Sequence, residues 1–142
     1  MKDIIFIGKS GSGKTTLCQR LHDLEIKYNK TQTVEVYDTS IDTPGEYLEN
    51  RMLYSALNTI SADAKMIGLV YDPTAHENYF APNFSSMFMK EVVGIITKIS
   101  LVDESAIEFA RKRLMMTNVT KIFEIDTLED IGVKELFEYI KK

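Results

Sequence analysis

The chain is expected to fold as one α/β domain, a mostly parallel central sheet with helices on both faces. Three observations predict this. Short unbroken apolar runs recur at Ile4–Ile7, Met66–Tyr71 and Val92–Ile96, as in strands buried on both faces. Other segments carry apolar residues at helical spacing, as at Leu17, Leu21 and Leu24. The two kinds of signal alternate, and right-handed crossovers joining parallel strands satisfy such an order.

Taken along the chain, Ile4–Ile7 is the first strand, ending at Gly8, and a helix follows from about Thr15 to Leu24. Thr33–Tyr37 alternates as a half-exposed strand, and Asp38-Thr39 can turn it into a short partner around Ser40–Asp42. Met52, Leu53, Ala56, Leu57 and Ile60 mark a second helix. Met66–Tyr71 and Val92–Ile96 are central parallel strands, yet only residues 72–91 join them, interrupted by Pro73 and Pro82. The third crossover is therefore expected to be shortened to an irregular loop with at most a short helix. Its Tyr79, Phe80, Phe84, Met87, Phe88 and Met89 either fold back over the sheet or form a partner surface. Ala106, Ile107, Ala110 and Leu114 give a helix that Ser100 or Asp103 caps. Ile122–Ile125 is a last strand, and Val133, Leu136, Phe137 and Ile140 form a closing helix. No linker or repeat divides the chain, so residues 1–142 are read as a single domain.

Composition narrows the class. The 142 residues suffice for one core, and 44% apolar with 27% charged residues exclude a disordered or fibrous chain. The net charge is −4 with no strongly basic window, so no nucleic-acid partner is expected. The single cysteine, Cys18, cannot form an internal disulfide and fits a reducing compartment. No apolar run approaches the ~18 residues of a membrane span, and residues 2–7 are too short for a signal peptide. The expectation is a small acidic cytoplasmic domain with no membrane partner.

Gly8-Lys9-Ser10-Gly11-Ser12-Gly13-Lys14-Thr15 matches G-x-x-x-x-G-K-[ST] in full, between a strand and a helix. Glycines let backbone N–H groups turn around phosphate oxygens, and the helix start adds unpaired donors and a positive dipole end. Lys14 is placed to reach the β- and γ-phosphates and Thr15 to ligate Mg²⁺, with Thr16 beside them in the nucleotide-binding set. Asp42-Thr43-Pro44-Gly45 follows the next strand-like segment. There an aspartate holds Mg²⁺, usually through water, and the Gly45 N–H faces the γ-phosphate. In the polar stretch Tyr28–Thr33, a threonine can close over Mg²⁺ and the γ-phosphate. Thr31 is favoured over Thr33, which begins the strand.

These residues resemble a small-GTPase-type P-loop NTPase, and Asp42–Arg51 narrows the likeness. With Lys30-Thr31-Gln32 upstream and Leu53-Tyr54-Ser55-Ala56-Leu57 downstream, the chain resembles the EutP/PduV family of ethanolamine- and propanediol-utilisation proteins. The likeness covers essentially the whole chain, including the short 72–91 segment and Gly132-Val133-Lys134-Glu135-Leu136. It implies a minimal small-GTPase-like domain in a bacterial cytoplasm, working with a catabolic microcompartment in amine catabolism. It also implies nucleotide binding, with a suggested acetate-kinase activity in the ethanolamine branch.

The chain departs from the GTPase pattern where the base is read. Thr97-Lys98-Ile99-Ser100 stands at [NT]-K-x-D, with the Lys98 stem placed to lie along a purine ring. The aspartate of that pattern accepts two hydrogen bonds from guanine, whereas Ser100 offers one neutral hydroxyl. Asp126-Thr127 replaces the further Ser-Ala step, and an acidic Asp126 can accept from an exocyclic amine such as adenine carries. ATP and GTP both stay open as ligands. Glu46 stands where many GTPases place a water-orienting glutamine; it accepts from water but repels the γ-phosphate, so slow hydrolysis is expected. Two functions are consistent with this set. One is Mg²⁺-dependent triphosphate hydrolysis or phosphoryl transfer to a small acceptor such as acetate, with Lys14, Thr31 and Glu46 as catalytic residues. The other is a non-catalytic switch, in which nucleotide orders 28–33 and 43–50 for a microcompartment shell or enzyme partner.

Overall fold

A computed structural model describes residues 2–9, 11–32, 40–42, 54–75 and 80–142; at 28–32, 40–42 and 54 only the backbone is described. Among these residues five parallel strands, β1 (Lys2–Ile7), β2 (Ser40–Asp42), β3 (Ala64–Tyr71), β4 (Glu91–Ile96) and β5 (Ile122–Glu124), form one sheet in the order β2-β1-β3-β4-β5. The helices are α1 (Lys14–Gln32), α2 (Tyr54–Ser61), α3 (Glu104–Met115) and α4 (Val133–Lys141).

Alternation along the strands divides the core into two layers. Ile4 and Phe6 of β1 pack with Leu17 and Leu21 of α1 and Val133, Leu136, Phe137 and Ile140 of α4. Ile5 and Ile7 face the other way, toward Leu57 of α2 and Ile107, Ala110 and Leu114 of α3. Because successive strand side chains point to opposite faces, an all-apolar run is what a sheet covered on both sides requires.

Among its described residues, the connection from β3 to β4 holds a single 3₁₀ turn, Phe84–Met87. It covers the sheet with side chains instead of a helix. Phe80, Phe84 and Phe88 are buried against the layer of α2 and α3, their ring centroids 5.5 and 5.7 Å apart in sequence. Met87 is half-buried there, while Met89 is fully exposed. The segment thus folds back over the sheet; Tyr79 lies outside the described residues.

One detail differs from expectation, and one open alternative is resolved. The first helix does not stop near Leu24 but continues to Gln32. Past Leu24 it is anchored by charge, since the nearly buried Glu25 pairs with Lys141 of α4 at 2.6 Å. The cap of α3 is Asp103, whose carboxylate accepts the Ala106 N–H at 3.0 Å; Ser100 is not a cap. The strand expected at Thr33–Tyr37, and Met52 and Leu53 of the second helix, lie outside the described residues.

Register fixes where chemistry can occur. Phe6 pairs with Asp42, Ile7 with Leu69, Tyr71 with Ile96, and Ile96 with Glu124. All strands therefore end at one edge. The chain leaves β1 toward β2 on one side and returns to β3 on the other, so the crevice at this edge opens beside the end of β1.

Candidate functional site

The loop after β1 is shaped by its glycines. A Cβ on Gly8 would sit 2.7 Å from the Val70 carbonyl oxygen and 2.9 Å from Ser12 Oγ, so only glycine permits this approach to β3. Gly11 and Gly13 have φ of +79° and +106°, which side chains rarely adopt. The Ser12 N–H donates to the Lys9 carbonyl at 3.2 Å, closing the turn. The α1 ladder opens with Leu17 N–H to Gly13 O at 3.0 Å, so the N–H groups before it have no acceptor within the helix. Lys14 Nζ donates to the Gly8 and Lys9 carbonyls at 2.7 and 2.9 Å, which holds a nearly buried ammonium inside the curve of the loop.

The end of β4 braces this loop from below. Thr97 Oγ1 donates to the Ser12 carbonyl at 2.7 Å. Lys98, in the left-handed region at φ 56°, sends Nζ to the Gly11 carbonyl and to Asp72 Oδ2, both at 2.8 Å. Asp72, just past β3, also accepts from Thr74 N–H and Oγ1. Burial pushes its carboxyl up, but the hydrogen bonds from Lys98 and Thr74 outweigh this and hold it below the ordinary carboxylate value. Lys98 therefore ties the ends of β3 and β4 to the phosphate loop.

Ser100 lies in a 3₁₀ turn, Ile99–Leu101, and its N–H donates to Asp126 Oδ2 at 3.2 Å. Asp126 Oδ1 accepts the Leu128 and Glu129 N–H groups at 3.0 and 2.9 Å. Burial raises the Asp126 carboxyl, while bonds from Glu129, from the Ser100 hydroxyl and N–H, and from Leu128 lower it further, leaving it below its ordinary value. The carboxylate is thus occupied by its own loops. For the exocyclic amine that the sequence suggested, these three bonds leave one lone-pair site, on Oδ2. Between these loops and the start of α1 is a cavity of about 170 Å³, lined by Gly13, Thr16, Thr97, Lys98, Ser100, Leu101, Asp126, Thr127, Leu128 and Glu129.

The structure thus gathers Gly8, Lys9, Gly11, Ser12, Gly13, Lys14, Thr15, Thr16, Thr97, Lys98 and Ser100 at one edge of the sheet. Asp42, the last residue of β2 and opposite Phe6, ends at the same edge. Thr31 does not join them. It stands in the last turn of α1, about 24 Å along the axis from Thr15 at ~1.5 Å per residue, so it is not a Mg²⁺ or γ-phosphate contact here. Ser10, Gly45 and Glu46 lie outside the described residues. Asp72 was missed as a site residue. Its Asp-Pro-Thr context announces a turn, and the turn is real, but the carboxylate's second partner comes from another strand.

Comparison with known proteins follows this geometry. Over residues 1–142 the chain matches the family model PduV-EutP, described as ethanolamine utilisation - propanediol utilisation. The chain belongs to the PduV-EutP family. Within that setting, it is 39% identical over 140 residues to "Propanediol utilization protein PduV" of Citrobacter freundii, covering 99% of this chain and 93% of that one. It is 32% identical over 143 residues to "Probable acetate kinase EutP" of Escherichia coli (strain K12), covering 99% and 89%. Among solved structures, the apo translation elongation factor SelB of Methanococcus maripaludis superposes with a TM-score of 0.70 at 18% identity; the match covers 97% of this chain and about a third, 32%, of that one. The FeoB G-domain of Methanococcus jannaschii gives 0.63 at 19% identity, covering 97% and 94%. This family member therefore has the small-GTPase-like P-loop fold. Among the described residues no helix is long and apolar enough to cross a membrane.

Proposed function

We propose that residues 8–16 hold the phosphates of a Mg²⁺-dependent nucleoside triphosphate in ethanolamine or propanediol utilisation, with slow hydrolysis or phosphoryl transfer to a small acceptor such as acetate. The observation that carries this is the Lys14 ammonium, held among the loop carbonyls at the start of α1 and at the crevice of the sheet. A triphosphate oxygen gives that ammonium a charge-assisted partner in place of two carbonyls. Oxygen donors suited to Mg²⁺ are at hand in the Thr15 hydroxyl and in Asp42 at the end of β2. Such an ion, when bound, neutralises charge between the β- and γ-phosphates.

The chain's own part is positioning. The loop N–H groups and Lys14 orient the phosphates, Thr97 and Lys98 keep the loop in shape, and the Gly45 N–H is assigned to the γ-phosphate. Glu46 is assigned beside the attacking group, where a carboxylate favours a slow reaction with water. With acetate, a carboxylate oxygen forms a bond to the γ-phosphorus as the bond to the β-bridging oxygen breaks, giving acetyl phosphate and a nucleoside diphosphate. The "Probable acetate kinase EutP" relative supports testing this acceptor first. The experiment is titration of Mg²⁺ with ATP, ADP, GTP and GDP, followed by an assay for acetyl phosphate. Saturable triphosphate binding is expected; no binding of any nucleotide refutes the reading, and binding without turnover removes its catalytic half.

A further inference from the structure

Helix α3 sorts its exposed charges to two flanks. Toward β5, Arg111 pairs with Glu124, and its Nη1 donates to Glu104 and Glu108 at 3.0 and 2.9 Å, so the acidic residues there are neutralised within the chain. The other exposed flank carries Phe109, Lys112, Arg113 and Met116, which helical spacing sets side by side. Phe109 is 49% and Met116 48% exposed, and the Arg113 guanidinium lies over the Phe109 ring at 5.0 Å. Among the described residues neither Lys112 nor Arg113 meets a carboxylate. Scattered apolar residues are ordinary on a surface, but these stand beside cations that the fold itself leaves unpaired.

A matching surface lies where the loop after β5 enters α4. Leu128 and Ile131 are 84% and 44% exposed there, with Glu129 exposed between them. Glu135 and Glu138 continue from Ile131 at helical spacing, on the side of α4 away from its buried Val133, Leu136, Phe137 and Ile140. Among the described residues these three glutamates have no cationic partner, and Lys134 is the one positive charge on that side of α4. One surface is thus apolar and basic, the other apolar and acidic. Within one molecule they cannot meet, because α3 and α4 cover opposite faces of the sheet.

We propose that the two surfaces bind each other between copies of this chain, Phe109 and Met116 of one copy against Leu128 and Ile131 of the next, with Lys112 and Arg113 facing Glu129 and Glu135. The surfaces differ, so the contact is heterologous, and association continues past the dimer unless a ring closes. A handful of side chains on each side places it at the small, reversible end of interfaces. Leu128 and Glu129 also line the cavity beside the phosphate loop, so the second copy is seated at the rim of the candidate site.

The test is sedimentation velocity of the full chain over a range of concentrations. Wild type should self-associate with a Kd between about 1 µM and 1 mM, weakened severalfold between about 0.1 and 1 M NaCl as the Debye length shortens. Lys112→Glu with Arg113→Glu makes both surfaces acidic, and Glu129→Lys with Glu135→Lys makes both basic. Each double variant alone should associate about tenfold or more weakly, because like charges face each other. Mixed in equal amounts, the two should associate again, since every contact then joins opposite signs; that recovery also reports that both are folded. Phe109→Ala should weaken wild-type association by about three- to tenfold through lost apolar burial. A monomer at every concentration up to about 1 mM, association that either charge reversal leaves unchanged, or two folded variants that stay monomeric when mixed overturns the inference.

Discussion

Removing the Asp72 carboxylate tests whether the brace beneath the phosphate loop stabilises the fold. In Asp72→Ala, Lys98 loses its 2.8 Å ion pair and keeps only the Gly11 carbonyl, while Thr74 loses both its contacts. Breaking a fully buried pair costs about 3–5 kcal/mol and an exposed one ~1 kcal/mol or less. Here the aspartate side chain is 5% exposed but the lysine is 33% exposed, so water reaches the orphaned ammonium. A loss of about 2 kcal/mol in unfolding free energy is expected, measured by urea denaturation. Asp72→Asn keeps an acceptor for the Thr74 N–H and should recover part of it. The sign of the pH dependence is fixed. The native carboxyl is held below the ordinary aspartate value of the unfolded chain, so its contribution is complete above that value and disappears as pH falls through the lower native one. The stability gap between wild type and Asp72→Ala must therefore be constant from neutral pH down to that value and close in stronger acid. A gap that persists unchanged in acid, or no gap at neutral pH, would refute the ion pair as the source.

Lys14→Ala should lower triphosphate affinity by tenfold or more, about 1.5–3 kcal/mol for a charged hydrogen bond, as read by calorimetry; an unchanged affinity removes the phosphate-site assignment. Asp42→Asn should weaken Mg²⁺-triphosphate binding more than diphosphate binding, and equal losses would count against a metal role. Gly8→Ala should cost about 1–3 kcal/mol of stability, because the new methyl meets the Val70 carbonyl at 2.7 Å and that oxygen belongs to a central strand; thermal melting checks it.

Strands such as Ile4–Ile7 and Val92–Ile96 were legible because burial on both faces demands unbroken apolar residues. The phosphate loop was legible because its backbone angles and its lysine are specified by residue type at fixed spacing. The length of α1 was not, since beyond Leu24 the helix is anchored through Glu25 to Lys141, a partner more than a hundred residues away. Asp103 and Ser100 were equal capping candidates on residue type; what separates them is that Ser100 is drawn by its N–H to Asp126 on the β5 loop. The same contact explains why Asp126, which reads as a ligand-facing carboxylate, faces its own backbone. Side chains that link two strand ends are invisible to periodicity.

The short connection between β3 and β4 is fastened to the C-terminal end of α3. Asn83 N–H donates to the Met116 carbonyl at 2.8 Å, Ser85 N–H to that of Thr117 at 3.0 Å, and the Ser85 hydroxyl reaches the same Thr117 oxygen. Opening this segment would bare three phenylalanines and strip carbonyls at the helix end of their donors at once. Irregular though it is, it should exchange its amide hydrogens at the rate set by global unfolding and not by local fraying, so that crossover, helix end and central strands behave as one cooperative unit.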